Sequence, residues 1–246
     1  MRILLILSIS LLLTSFKIPR TSPTTIPVST AAPSNTSVHL QLFEDFGLEQ
    51  MISVEAFEYA MQGAEHIDSK KEDIITIIDF SLPSTAKRMV VLNLATKEIL
   101  YHSIVSHGKN SGENYATSFS NIHSSYQSSL GFYTTENTYI GRNGYSLVLN
   151  GLEKGTNDQA KARAVVIHGA DYCSEDFIKA TGRNGRSYGC PALPRALNQE
   201  IIDTIKEGSL LYIYANDKNY LANSSFLSKS KSHLADNSST RNSDKM

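Results

Sequence analysis

The chain has 246 residues, 41% of them hydrophobic, and a formal net charge of −1. That length and apolar content suit one globular domain with attachments, and the near-neutral charge argues against nucleic acid as a partner. Two cysteines, Cys173 and Cys190, are too few for a disulfide scaffold, and no Cys or His pair has CxxC or HExxH spacing, so no metal site is expected.

Residues 1–20 read as an export signal. Arg2 supplies the positive start, and the apolar run over 3–16 is too short for a comfortable membrane span. The expected location is the periplasm or cell envelope, with secretion as the second choice; a membrane tie exists only if the signal stays uncleaved. Residues 21–37 are rich in Pro, Ser and Thr and read as a flexible linker.

Residues 38–70 read as a helical hairpin. Leu42, Phe43 and Phe46 fall at helical spacing before Gly47. Ser53 is placed to cap a second helix with Phe57, Ala60, Met61 and Ala64 on one stripe.

Residues 71–215 change to strand patterning. β-Branched or alternating runs cover 74–80, 89–94, 98–105, 131–140, 145–152, 164–168 and 209–214. Asn157 is placed to cap a short helix through Arg163, and Ser174 another to about Thr181. Leu197, Ile201 and Ile205 mark an amphipathic helix over 194–207, stopped by Gly208. Without internal repeats or βαβ alternation, the expectation is a mostly-β domain with peripheral helices plus the N-terminal hairpin. Residues 216–246, dominated by Asn, Ser, Lys and Asp, read as a disordered polar tail.

The chemistry concentrates in Gly185-Arg186-Ser187-Tyr188-Gly189-Cys190-Pro191-Ala192 and in His168-Gly169. A thiolate is a strong nucleophile, an imidazole titrates near neutrality, and glycine lets backbone amides approach a substrate. Cys190 is the candidate nucleophile, His168 the candidate base, and Gly189 with its neighbours the candidate oxyanion site. Ser187 is a candidate to fix the loop or a ring nitrogen. A helix starting at Pro191 would cap on Cys190; one starting at Pro194 would leave it in a loop, and the sequence leaves both open. A Cys173–Cys190 disulfide, which would remove the nucleophile, also stays open. His107-Gly108-Lys109-Asn110-Ser111-Gly112 and the region around Asn121 are candidates to line a substrate groove.

Together, His168-Gly169, the loop Ser187-Tyr188-Gly189-Cys190, the His107 segment and Phe119-Ser120-Asn121 resemble the YkuD-type L,D-transpeptidase catalytic domain of bacterial cell-wall enzymes, in a divergent branch. The resemblance implies a β-rich domain with Cys190 as nucleophile and His168 as base, acting on peptidoglycan stem peptides without a cofactor. It implies transfer to an acceptor amine, with L,D-carboxypeptidase hydrolysis or non-catalytic peptidoglycan binding as the alternatives. Tyr188 stands where better-known members commonly carry His, and Ala192 where they carry Arg or Asn. Tyr188, Arg186, Gly169, His107 and Asn121 are the candidate substrate-binding residues, with Arg186 as the replacement for the missing Arg.

Overall fold

The structure, a computed structural model, describes residues 35–227. The expected export signal, nearly all of the linker and the end of the polar tail lie outside the described residues. Two helices, α1 (Asn35–Phe46) and α2 (Val54–Ala64), precede strands β1 (Lys71–Asp79), β2 (Met89–Asn93), β3 (Glu98–Ser103), β4 (Gly131–Gly141), β5 (Gly144–Gly151) and β6 (Val166–Ala170). Helix α3 (Glu175–Thr181), strand β7 (Ala192–Pro194), helix α4 (Arg195–Ile205), strand β8 (Ser209–Tyr214) and helix α5 (Lys218–Asn223) follow. No helix among the described residues is long and apolar enough to cross a membrane.

The eight strands form one sheet in the order β3-β2-β1-β8-β4-β5-β6-β7. This meets the mostly-β expectation. β8 is buried at all six residues, so both faces of the sheet are covered there. Ser53 caps α2 by accepting the Ala56 amide at 3.2 Å, and its own amide and hydroxyl donate to Asp79 at the end of β1 at 2.8 and 2.7 Å. The cap therefore also ties the helix to the sheet. Phe57 sits edge-on to Phe43 and Phe46, and burying a side chain of that size stabilises by about 2–3 kcal/mol. Gly63 is what lets α2 lie close: a Cβ there would run into the Phe132 ring.

The chain that leaves β3 crosses to the opposite end of the sheet. Ser106 donates its amide to Ala192 of β7 at 2.9 Å, Ser187 donates to His107, and Lys109 donates back to Ser187 at 2.8 Å. These bridges pair an edge that would otherwise be open. They also bring the His107 segment against the Cys190 loop, although some eighty residues separate them in the chain.

Four expectations need correction. β6 begins at Val166 and runs to Ala170, so His168 is in the strand interior rather than at its end. β6, α3 and β7 form a βαβ unit with parallel strands, which the strand-run pattern did not reveal. The stretch 157–163 is turn, not helix. The Asn157 side chain is drawn inward, donating to the carbonyls of Leu130 and Phe132 at 2.9 and 3.0 Å and accepting the Glu153 amide at 2.9 Å. Residues 216–227 are packed chain, not tail. Asp217 caps α5, and Tyr220, Ser224 and Leu227 are buried. The Tyr220 hydroxyl donates to Glu153 at 3.1 Å, and that of Ser224 donates to the same carboxylate. Glu153 is 1% exposed, and its desolvation pushes its pKa up against the hydrogen bonds from Ser224, the Phe132 amide and Tyr220.

Candidate active site

His168 is held on β6 between Ser146 of β5 and Ala192 of β7. Its Nδ1 lies 3.0 Å from the carbonyl of Gly169. A carbonyl only accepts, so Nδ1 carries the proton and Nε2 keeps its lone pair. Burial lowers the His168 pKa, the bond to Gly169 opposes that, and Arg195 adds to the lowering. The imidazole is thus neutral at pH 7 with Nε2 as its basic atom. Gly169 itself is buried against Asn198 and serves His168 through its carbonyl rather than facing a ligand.

Cys190 ends the loop that joins α3 to β7. Pro194 is the N-cap of α4, so the helix begins beyond the loop and Cys190 does not cap it. Cys173 and Cys190 are both free thiols, and Cys173 is buried beside Asn184. The Cys190 Sγ accepts the Val166 amide at 3.5 Å and lies 3.7 Å from the Ala164 carbonyl. Burial pushes its pKa up, opposed by the Val166 N–H and by the charge of Arg163. Among the described residues no hydrogen bond joins Cys190 to His168; both line one cleft of about 760 Å³.

The loop is shaped from within. The Ser187 hydroxyl donates to the Cys190 carbonyl at 2.6 Å and accepts the Gly189 amide at 3.0 Å. Gly189 has φ +123°, in the region that favours glycine, and a Cβ there would lie 2.8 Å from the Gln127 carbonyl. Because the Gly189 amide is engaged with Ser187, it is not an open oxyanion donor. The Cys190 and Tyr188 amides have no protein acceptor among the described residues.

The remaining candidates divide. Tyr188 is 69% exposed at the cleft, its ring 4.7 Å from that of Tyr126, with the Lys109 Nζ over both rings. His107 is fully buried away from the cleft. Its Nδ1 accepts from Arg88 at 2.7 Å and its Nε2 donates to the Gly112 carbonyl at 3.2 Å. Burial, then the Arg88 charge, lowers its pKa to about 4. Asn121 bonds Asp158 and the Gln159 amide instead of lining the cleft. Arg186 lines the cleft, but its NH1 is held by Glu113 at 2.7 Å and by the carbonyls of Lys109 and Gly112.

The cleft is strongly cationic. Lys109, Arg142, Arg163, Arg183 and Arg186 line it, and no carboxylate does. Arg183 shares Glu113 with Arg186. Arg142, on the β4–β5 turn, has no hydrogen bond or ion pair among the described residues. Sequence reasoning missed Arg142 and Arg163; the signal available for Arg163 was its place just ahead of β6.

A sequence model of the L,D-transpeptidase catalytic domain matches residues 48–214, more than half of the chain. The chain belongs to the L,D-transpeptidase catalytic domain family. No curated protein matches it. Among solved structures it is similar to an L,D-transpeptidase from Mycobacterium smegmatis, at 14% identity and a TM-score of 0.35, over 58% of this chain and 59% of that one. The L,D-transpeptidase of Stackebrandtia nassauensis matches at 12% identity and a TM-score of 0.36, over 75% of this chain and 79% of that one. That of Xylanimonas cellulosilytica matches at 11% and 0.32, over 80% and 100%. The chain spans about three fifths of the length of the mycobacterial chain it matches.

Proposed function

We propose that this protein is a peptidoglycan L,D-transpeptidase of the cell envelope with Cys190 as nucleophile and His168 as base. The observation that carries the reading is one cleft lined by a cysteine and a histidine whose Nε2 lone pair is unprotonated. His168 Nε2 takes the Cys190 proton as Sγ adds to the carbonyl that joins the L-centre of the third stem residue to D-alanine. The oxyanion falls to the amides of Cys190 and Tyr188. The C–N bond breaks, the leaving D-alanine amine takes the proton from His168, and a thioester remains. An acceptor amine then attacks the thioester, His168 removes its proton, and the thiol is restored as the cross-link forms.

Stem peptides carry free carboxylates, and a cleft whose five cations are offset only by Glu113, shared between Arg183 and Arg186, suits them. Ser187 sets the loop, and Tyr188 with Lys109 forms the exposed wall over which the peptide passes.

The test is incubation with purified disaccharide-tetrapeptide, followed by mass spectrometry. A thioester on Cys190, released D-alanine and a cross-linked dimer are expected, and all three are absent in Cys190→Ala. Trimmed stem without dimer would make the protein an L,D-carboxypeptidase. Binding with no adduct and no D-alanine would reduce it to a peptidoglycan-binding protein.

A further inference from the structure

Cys190 poses an electrostatic problem. Its thiol is half-buried in the cleft wall, burial raises its pKa, it does not cap α4, and it makes no hydrogen bond to His168 among the described residues. A negative sulfur at this place needs a positive charge nearby. The segment just before β6 supplies one. Ala164 has φ +55°, an uncommon conformation for a residue with a side chain, and the turn it makes sets the Ala164 carbonyl 3.7 Å from Sγ. The preceding residue, Arg163, reaches beneath the loop: its NH2 lies 3.4 Å from where a Gly189 Cβ would stand.

That guanidinium is fixed and carries its charge uncancelled. NH1 donates to the Ser120 carbonyl at 2.7 Å and to the Ser129 hydroxyl at 2.5 Å. NH2 donates to the Gln127 carbonyl at 2.7 Å and to the Ser125 hydroxyl at 3.3 Å. All four partners are neutral oxygens, and no carboxylate pairs with Arg163 among the described residues. Arg183 and Arg186 differ, since they share the Glu113 carboxylate, and Arg195 is paired with Asp171.

We propose that Arg163 is the counter-cation of the Cys190 thiolate, a positioning residue that acts on acyl transfer through the sulfur. The inference rests on Cys190 being the nucleophile. As the thiol proton passes to His168, negative charge gathers on Sγ beside the fixed guanidinium. When Sγ bonds to the carbonyl carbon the charge moves to the oxyanion, still next to the same cation. The thioester is neutral, so the stabilisation is largest where charge is largest. The other titratable or charged groups facing this cleft are His168 and Tyr172 on the β6 side, Tyr188 on the loop, and Lys109, Arg142, Arg183 and Arg186 around it. None of these other cations comes as close to the loop glycine as Arg163 does.

The test is the pH profile of Cys190 alkylation by iodoacetamide, read at the Cys190 peptide by mass spectrometry so that Cys173 does not contribute. In Arg163→Gln the midpoint rises by about one unit or more. In Arg163→Lys it stays near wild type, and in Arg142→Gln it does not move. Ser129→Asp covers the case in which Arg163→Gln fails to fold. It keeps the guanidinium but sets a carboxylate against NH1, and the same rise is expected. An unchanged midpoint in a folded Arg163→Gln or Ser129→Asp protein overturns the inference, as does an equal rise in Arg142→Gln. The assay needs no cell-wall substrate. A midpoint that shifts as expected in a protein that releases no D-alanine leaves Arg163 in this role and overturns the enzymatic reading. D-Alanine release with no shift overturns the role of Arg163 alone. A Cys190 that is not alkylated at any pH overturns both.

Discussion

The Ser187 hydroxyl donates to the Cys190 carbonyl at 2.6 Å while accepting the Gly189 amide at 3.0 Å, so one side chain closes the loop on both sides of its left-handed glycine. The Ser187 backbone is pinned as well, through the His107 carbonyl and the Lys109 amide. Removing the hydroxyl frees the loop without disturbing the sheet. Ser187→Ala is expected to cost about 1 kcal/mol of stability and to lower kcat by roughly a hundredfold, because small displacements of a nucleophile are expensive. Ser187→Thr, which keeps the hydroxyl, restores most of the rate. Steady-state D-alanine release and thermal unfolding measured together check this. An Ala variant with normal kcat would show that the loop does not need the bridge.

Much of the fold was legible because its signals are local. The β-branched runs of β1 and β8, the Ser53 cap and the Ile201 and Ile205 stripe each identify an element without reference to any other. What was hidden depends on partners distant in the chain. β7 is three residues ending in a proline, and it is a strand only because His168, Gly169, Ala170 and Ser106 pair with it. Asn157 looks like a cap until Leu130 and Phe132 present their carbonyls. Of the site candidates, Cys190, His168 and Ser187 stand out by type and order, and the structure brings all three to one cleft. His107 was misread as a groove residue because nothing near it in sequence announces that Arg88 will be buried against it.

That buried pair gives a pH dependence. An unfolded imidazole titrates near 6.5, whereas in the fold His107 titrates at about 4. Between those values the unfolded chain binds a proton that the folded chain does not, so stability falls as pH drops from 6.5 towards 4. The contribution of His107 to that loss is up to about 3 kcal/mol, and it adds nothing to the slope above pH 6.5. His107→Gln keeps an acceptor for Arg88 and a donor for Gly112 without the titration. Urea unfolding from pH 4.5 to 7.5 should show a flatter acid limb in the variant; parallel curves would exclude His107 as the source.

Arg142 tests recognition rather than chemistry. It lines the cleft from the β4–β5 turn and is free of protein partners among the described residues, whereas Arg186 is engaged by Glu113 and two carbonyls. An open guanidinium suits a substrate carboxylate. Arg142→Ala should raise KM for tetrapeptide about tenfold with kcat little changed, while Arg186→Ala should reduce stability more than it raises KM. An amidated donor peptide should lose the preference for wild type over Arg142→Ala. Equal KM effects for free and amidated peptides would remove Arg142 from carboxylate recognition.

The C-terminal segment makes the last prediction, because its polar sequence conceals a structural role. Glu153 is buried and accepts from the Phe132 amide at 2.8 Å, from Tyr220 at 3.1 Å and from Ser224. The Tyr220 and Ser224 hydroxyls, and the Ser225 amide that also lowers the Glu153 pKa, come from residues beyond β8. A buried carboxylate that loses donors bears the desolvation cost uncompensated, about 1–3 kcal/mol per lost partner. Tyr220→Phe with Ser224→Ala is therefore expected to destabilise the protein by several kcal/mol. Glu153→Gln in the same background should recover part of that loss, since an amide needs less solvation than a carboxylate. The sign of the pH effect is also fixed. Burial raises the Glu153 pKa, so the unfolded carboxyl ionises first, and stability falls as pH rises through the window between the unfolded value and the raised folded one. Losing two donors widens that window upward and steepens the alkaline side of the stability curve, whereas Glu153→Gln flattens it. Denaturant unfolding of the three proteins between pH 4 and 8 checks both parts. A double variant as stable as wild type would show that the fold does not depend on the Tyr220 and Ser224 hydroxyls.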